Sequence, residues 1–429
     1  VRARTWLPWA MWGLGALCYL TALFHRMSLS VAGLTAQERF GIDATGLAAF
    51  SVVQLALYAA LQVPVGVGSD RLGPRKLLLA GMTLMAAGTV VFAIATGYAA
   101  AMAGRALIGA GDACMFVSVL RIAHNWFPGR RYALVAALTG MIGGLGQLIA
   151  TAPLAALLAA RGWTGTFLIA GTVTIVLLVA TGVGLRESPR PARHTDEPGE
   201  PLRESLRHAW RNPGTRHAMW THFTLMGTFV SFSAVLGQPY LVGAHALSEG
   251  TAGTLLGVVV LGFVLASTAA GQLASRRPGV RGALVLGAAV AAVTCSALLV
   301  ALPASTPATV LALVLFVVGA GGGVSMLAFD LARSANRGHR AGIASGVANM
   351  GGFTFAVVAQ FGAGIALDAL TDAGLPQSSA HRVAFGVPLV LALAGITRVV
   401  ALHRHAGALP SLNGSARERG RAPRALAGT

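Results

Sequence analysis

Twelve long apolar runs separated by short polar loops leave this chain few ways to fold. A helix needs about 20 mostly apolar residues to cross hydrocarbon. Runs of that kind fall at 7–33, 44–67, 77–96, 99–121, 133–159, 164–185, 217–242, 251–274, 282–302, 308–332, 341–368 and 382–402. Water is absent at bilayer depth, so each run must satisfy its own backbone as a helix. Composition agrees: 55% of residues are hydrophobic, 11% are charged, and the mean hydropathy is +0.69. A soluble domain carries about 25% charged residues. The first run is too long for a signal-peptide core and lacks a clear small-residue cleavage site, so it is read as a retained span. The expected fold is an all-α membrane protein of twelve transmembrane helices in two pseudo-symmetric six-helix bundles. Residues 1–185 form the first bundle, 186–216 a cytoplasmic linker and 217–402 the second bundle. A disordered basic cytoplasmic tail is expected over 403–429.

The net charge of +18 invites a nucleic-acid reading, but its distribution excludes one. Of the 32 Arg and Lys residues, 25 lie in the termini, the linker and alternate loops, while the opposite loops hold only Arg39, Arg161 and Arg382. That asymmetry marks the basic side as cytoplasmic. Both termini and the linker then share one side, which requires an even number of spans. The linker holds Pro189, Pro191, Pro198 and Pro201 among its charges, and its stretch 202–212 reads as a short amphipathic surface helix. Cys18, Cys114 and Cys295 all sit inside apolar runs without a CxxC pair, as small core hydrophobes do. The single lysine, Lys76, in an Arg-, Ala- and Gly-rich text points to a GC-rich genome, and the twelve spans set the expected location as a bacterial plasma membrane.

The halves repeat. Gly66-x-x-x-Asp70-Arg71 after the second run recurs 205 positions later as Gly271-x-x-x-Ser275-Arg276. The glycines of the fifth run (Gly140, Gly143, Gly144, Gly146) correspond to those of the eleventh (Gly346, Gly351, Gly352). Two related halves place a pathway between them, with its binding site near the midplane. Ionisable residues at that depth are functional candidates, because each costs about 2.5–3.5 kcal/mol to insert. Arg105 and Asp112 are seven residues apart, about two helical turns, and so share a face. Arg26 closes the apolar part of the first run, beside His25. Asp330 and Arg333, three apart, are read as an intrahelical or gate ion pair. His222, Gln238, Tyr240, Asn349 and Gln360 offer uncharged hydrogen bonds. The glycine cluster 319–323 lacks a following Lys-Ser/Thr and is no phosphate loop. Metal-ligand spacing, a nucleophile constellation and a cofactor motif are all missing, so neither an enzyme nor a bound cofactor is expected.

Gly66-Val-Gly-Ser-Asp70-Arg71-Leu-Gly73-Pro74-Arg75-Lys76 resembles motif A of the major facilitator superfamily, with Pro74 where a basic residue is common. Chemically, Gly66 permits close helix approach, Asp70 can accept from helix-end N–H groups, Gly73 allows a tight reversal, and Arg75 and Lys76 suit anionic headgroups. The resemblance assigns this loop to gating. Arg105-Ala-Leu-Ile-Gly109-Ala-Gly111-Asp112 resembles motif B. Tyr19 to Tyr58, with Asn125-Trp126-Phe127-Pro128-Gly-Arg130-Arg131, is similar to the anion:cation symporter branch of that superfamily. That resemblance implies Arg26 as the substrate arginine, Arg105 as its partner and Asp112 as the proton-coupling acid. Tyr19, His25, Tyr58 and Gln238 complete the expected substrate set. His25 stands where many members have an acid and Asp112 where many have Glu. The antiporter motif of the fifth span is broken around Ala152-Pro153. The implied function is proton-coupled uptake of a small organic anion by alternating access, by a monomer whose partners are substrate, protons and lipid. The alternative is a proton-driven exporter of a hydrophobic compound.

Overall fold

The computed structural model describes residues 6–42, 44–127, 131–150, 152–189, 201–336 and 340–407. Pro128, Arg130, Pro191, Pro198 and the tail beyond Gly407 lie outside the described residues. Among the described residues every regular element is helical. The amino-terminal half contains α1 (Leu7–Phe40), α2 (Ala44–Arg71), α3 (Pro74–Ile94), α4 (Tyr98–Trp126), α5 (Arg131–Ile149) and α6 (Ala152–Gly184). After it comes α7 (Leu202–Arg211), where the amphipathic linker helix is expected. The carboxy-terminal half contains α8 (Pro213–Ser231), α9 (Gly237–His245), α10 (Glu249–Arg276), α11 (Arg281–Ala301), α12 (Ala308–Val324), α13 (Leu327–Ser334), α14 (Ala341–Asp372), α15 (Gln377–Ala384) and α16 (Gly386–Gly407).

Ten of the described helical stretches are long and apolar enough to cross a membrane by themselves. Two further stretches are broken rods, and with them the ten fit a twelve-span arrangement. The fifth span comprises α5 and the start of α6; the chain then turns at Gly162, whose φ of 63° suits a residue without Cβ. The seventh comprises α8 and α9, joined by a π-helical turn over Phe232–Leu236. Some boundaries differ from the sequence reading. The first helix continues to Phe40, where Gly41 caps it in the left-handed region. The last runs to Gly407, so residues 403–407 extend a helix rather than belonging to a tail.

Burial runs opposite to that of a soluble protein. Val183 is 85% exposed, and Leu313 and Ile365 are each 70% exposed. In water such apolar faces would be a liability; in lipid they are the solvent-facing surface. The interior is apolar as well, but it also holds polar groups, including His25, Gln54, Gln62, Arg105 and Asp112.

Glycine seams set how closely the helices approach. A Cβ at Gly88 would lie 2.7 Å from the Gly104 carbonyl, and one at Gly111 would lie 2.4 Å from the Gly81 carbonyl. These two glycines of α4, seven apart, pack on α3 and turn the neighbouring Arg105–Asp112 stripe toward α1 and α2. The halves meet along two seams related by the repeat. In one, Gly66 of α2 abuts the Gly342 carbonyl of α14, and a Cβ at Gly346 would sit 2.4 Å from the Gln62 carbonyl. In the other, Gly271 of α10 faces Ala137 of α5. Small residues at such contacts give the van der Waals packing that drives helix association in lipid.

A methyl at Gly66 would sit 2.6 Å from backbone oxygen, which no side-chain adjustment relieves. Gly66→Ala is expected to destabilise the purified protein by about 1–3 kcal/mol, the usual penalty for overpacking. Gly287→Ala, where an added Cβ meets nothing within 4 Å, is the control. Thermal unfolding of the two variants side by side checks this; equal melting temperatures would contradict the seam.

Candidate functional site

At mid-depth between the halves, α1 and α4 bring together the two charges singled out in the sequence. Arg26 Nε donates to Asp112 Oδ2 at 2.8 Å, and Nη2 donates to Oδ1 at 2.9 Å. The side chains are 8% and 0% exposed. A paired two-point contact of this kind is the strongest arrangement available to a guanidinium and a carboxylate. The Arg26 guanidinium also lies 4.3 Å from the Tyr58 ring centroid and 5.1 Å from that of Phe353. Tyr58 is fixed from the other half. Asn349 Nδ2 donates to the Tyr58 hydroxyl at 2.8 Å and to Gln62 Oε1 at 2.7 Å.

Two hollows adjoin this pair. A small cavity of about 40 Å³ is bounded by Tyr19, Arg26, Tyr58, Phe116, His222, Asn349 and Phe353, with Gly140, Gly143 and Gly144 of α5. A vestibule of about 590 Å³ is bounded by Arg26, Leu47, Ser51, Gln54, Ser233, Gln360 and Asp368. Arg26, Gln147, Val230 and Phe353 border both, so they form the floor of the vestibule and the roof of the cavity. Leu47 lies near the start of α2 and Asp368 near the end of α14. The vestibule therefore opens on the face opposite the chain termini.

The terminus-bearing face is sealed. Asp70 of α2 accepts from the Gly342 and Ile343 amides, at 2.9 and 2.8 Å, across the gap between halves. These amides open α14, so the carboxylate meets both their unsatisfied donors and the positive end of the helix dipole. Arg121 lies 3.3 Å from the same carboxylate. Asp330 pairs with Arg333 at 3.0 Å and with Arg281 at 2.8 Å. Arg333 in turn stacks at 4.5 Å over Tyr132 of α5. The second seam thus has a cation–π contact across the halves, where its repeat carries Ser275 in place of an acid.

The remaining expected site residues are placed as follows. Tyr19 borders the cavity beside Phe116. His25 does not: it is 1% exposed, and its Nε2 is 2.8 Å from the Thr174 hydroxyl of α6, inside the first bundle. Arg105 is fully buried and lines neither hollow. It donates to the His25 carbonyl at 3.1 Å and to the Gln54 side chain, which makes it a tie among α1, α2 and α4. Gln238 is half-buried on α9 and also lines neither hollow. In the gating loop, Gly73 takes φ 89° and Lys76 is exposed. Arg75 turns inward to the Gly182 carbonyl instead of outward to headgroups. Arg121 and Arg281, as partners of Asp70 and Asp330, escape a reading by spacing because each lies on a different helix from its acid.

The family model of the Major Facilitator Superfamily matches residues 15–360. A probable sulfoacetate transporter of Cupriavidus necator is 25% identical over 178 residues, 41% of each chain. A probable L-galactonate transporter of Escherichia coli is 29% identical over 154 residues, 36% of this chain and 34% of that one. These matches span less than half the length of the curated relatives. Among solved structures, the fucose:proton symporter of E. coli superposes with a TM-score of 0.64 at 16% identity, over 90% of this chain and 98% of that one.

The Asp70 contact yields an expected outcome. Asp70→Ala leaves the first amides of α14 without acceptors, at a cost of about 1–2 kcal/mol. Hydrogen exchange at Gly342 and Ile343 should then quicken about 5- to 30-fold. Unchanged exchange in that peptide would mean the cap does not hold this face shut.

Proposed function

This chain belongs to the Major Facilitator Superfamily, and we propose that it carries a small organic anion together with a proton into a bacterial cell by alternating access. The observation that carries this reading is the Arg26–Asp112 pair at the floor of the vestibule. An anion reaching that floor meets an arginine whose fork is already occupied by a carboxylate. A proton on Asp112 removes the competing charge and frees the guanidinium. The fork then accepts the substrate carboxylate with the same two-point geometry. Substrate monoanion and proton together bring no net charge, so the loaded site is no costlier to bury than the empty one.

The closed side is read as cytoplasmic, from the basic residues in its loops. Loaded, the halves rock apart at the Asp70 cap and the Arg333–Tyr132 contact. Deprotonation of Asp112 toward the cytoplasm restores the internal pair and displaces the anion. Relatives named for carrying sulfoacetate and L-galactonate support an anionic cargo. The placement of Arg105 supports a role in holding α1 against α4, while Tyr58 and Tyr19 remain candidates to contact the substrate.

A thermal-shift panel of organic acids on the purified protein identifies a ligand, because binding to the folded state alone raises its melting temperature. Uptake of that ligand into proteoliposomes under an imposed pH gradient then tests the coupling. Asp112→Asn should keep counterflow exchange but lose gradient-driven accumulation; full accumulation would sink the coupling role. Arg26→Ala should weaken the acid by at least about tenfold, the equivalent of one charge-assisted hydrogen bond. Unchanged affinity would sink the anion site. Sensitivity of deletion cells to toxic hydrophobic compounds, without any defect in organic-acid use, would favour export.

A further inference from the structure

The small cavity has a second polar wall, contributed by the carboxy-terminal half. His222 of α8 borders it and is 1% exposed. Both ring nitrogens are buried without a hydrogen-bond partner. Burying an imidazole unpaired costs free energy, so the position calls for an explanation. Other buried side chains leave single atoms unpaired, but among the described histidines His222 is the one with both ring nitrogens so. His25 is just as buried and is satisfied by Thr174. Tyr240 is satisfied by the Leu299 carbonyl.

The surroundings hold the ring in place. Its edge meets Phe329 with centroids 4.9 Å apart. Gly352 of α14 makes room for it: a Cβ there would lie 2.5 Å from Nδ1. With Nδ1 against that glycine, Nε2 is the atom left for a ligand. Among the described residues Arg26 is the one charged side chain bordering the cavity, whose lining also includes Met226, Phe229 and Met326. A second carboxylate would be desolvated there without a cation, which is expensive. A hydroxyl is neutral and can donate to or accept from Nε2 in either tautomer.

We propose that His222 is a specificity-determining residue that binds a hydroxyl on the substrate carbon chain, so that the site prefers hydroxylated carboxylates over their deoxy counterparts. The inference rests on the anion reading above and adds to it the chemistry of the substrate's other end. Arg26 takes the carboxylate from one half, and His222 takes the hydroxyl from the other. A ligand that spans both draws the halves together, whereas a plain acid engages only the first.

The test is calorimetric binding of two matched pairs of monocarboxylates to the purified full chain: 4-hydroxybutyrate against butyrate, and glycerate against propionate. The wild-type protein should bind the hydroxylated member of each pair about tenfold or more tightly, since a site built for a hydroxyl rejects the analogue lacking it. His222→Phe keeps the ring and its contact with Phe329. It should bring both ratios close to one, with butyrate and propionate affinities within about threefold of wild type, because the lost interaction is one hydrogen bond. His222→Gln, which retains a donor and an acceptor, should keep part of the preference. Equal weakening of both members by His222→Phe, or no preference in the wild type, would overturn the proposal. Arg26→Ala separates the two readings. If the acids bind through Arg26 but His222 does not sort them, only the hydroxyl inference fails. If they fail to bind, or bind without Arg26, the anion reading fails and this inference goes with it.

Discussion

A guanidinium and a carboxylate locked together at bilayer depth are the constraint on which the amino-terminal half depends. Neither Arg26 nor Asp112 could remain charged alone in hydrocarbon without a large desolvation penalty. Paired two-point, they hold α1 and α4 in one register and still leave an exposed edge at the vestibule floor. Arg105, seven residues before Asp112, has a different job: its donors go to a backbone carbonyl of α1 and a glutamine of α2. One arginine is therefore built into the frame, and the other is poised where a carboxylate from outside could compete.

Much of the architecture is legible in the chain itself, because lipid enforces a simple rule. Every apolar run had to become a helix, and the basic loops had to gather on one side. The linker helix α7 appears over Leu202–Arg211, where amphipathic text places it. The site is less legible, for reasons that differ by residue. Helical spacing says that Arg105 and Asp112 share a face but not which neighbour lies opposite each. His25 is adjacent to Arg26, and adjacent residues point about 100° apart on a helix; one faces the cavity and the other Thr174. Gln238 follows the π-helical turn at Phe232–Leu236, which shifts the phase of every residue after it. A face projected from the start of the seventh span is therefore wrong beyond that point.

The two seams between halves close by different chemistry, although the sequence repeat relates them. On one, a carboxylate caps a helix. On the other, an arginine held by Asp330 lies on a tyrosine ring. The first depends on the dipole of a helix that moves with the opposite half, and so ends once the amides withdraw. The second is a stacking contact that tolerates sliding. Opening the face is then expected to begin at α2 and α14 and to be guided by α5 and α13.

The glycine seam of α3 and α4 lies on the side of α4 turned away from the cavity, yet it governs the ion pair. Gly88 and Gly104 each approach the other's carbonyl within 3 Å of where a Cβ would stand. A single extra carbon on that hidden seam would meet backbone and force α3 and α4 apart, on the helix that carries the carboxylate. Variation that never touches the lumen could thus disturb the ion pair as surely as loss of the acid itself. Inherited drift along this chain should accordingly be scarce on a surface that no cargo ever meets.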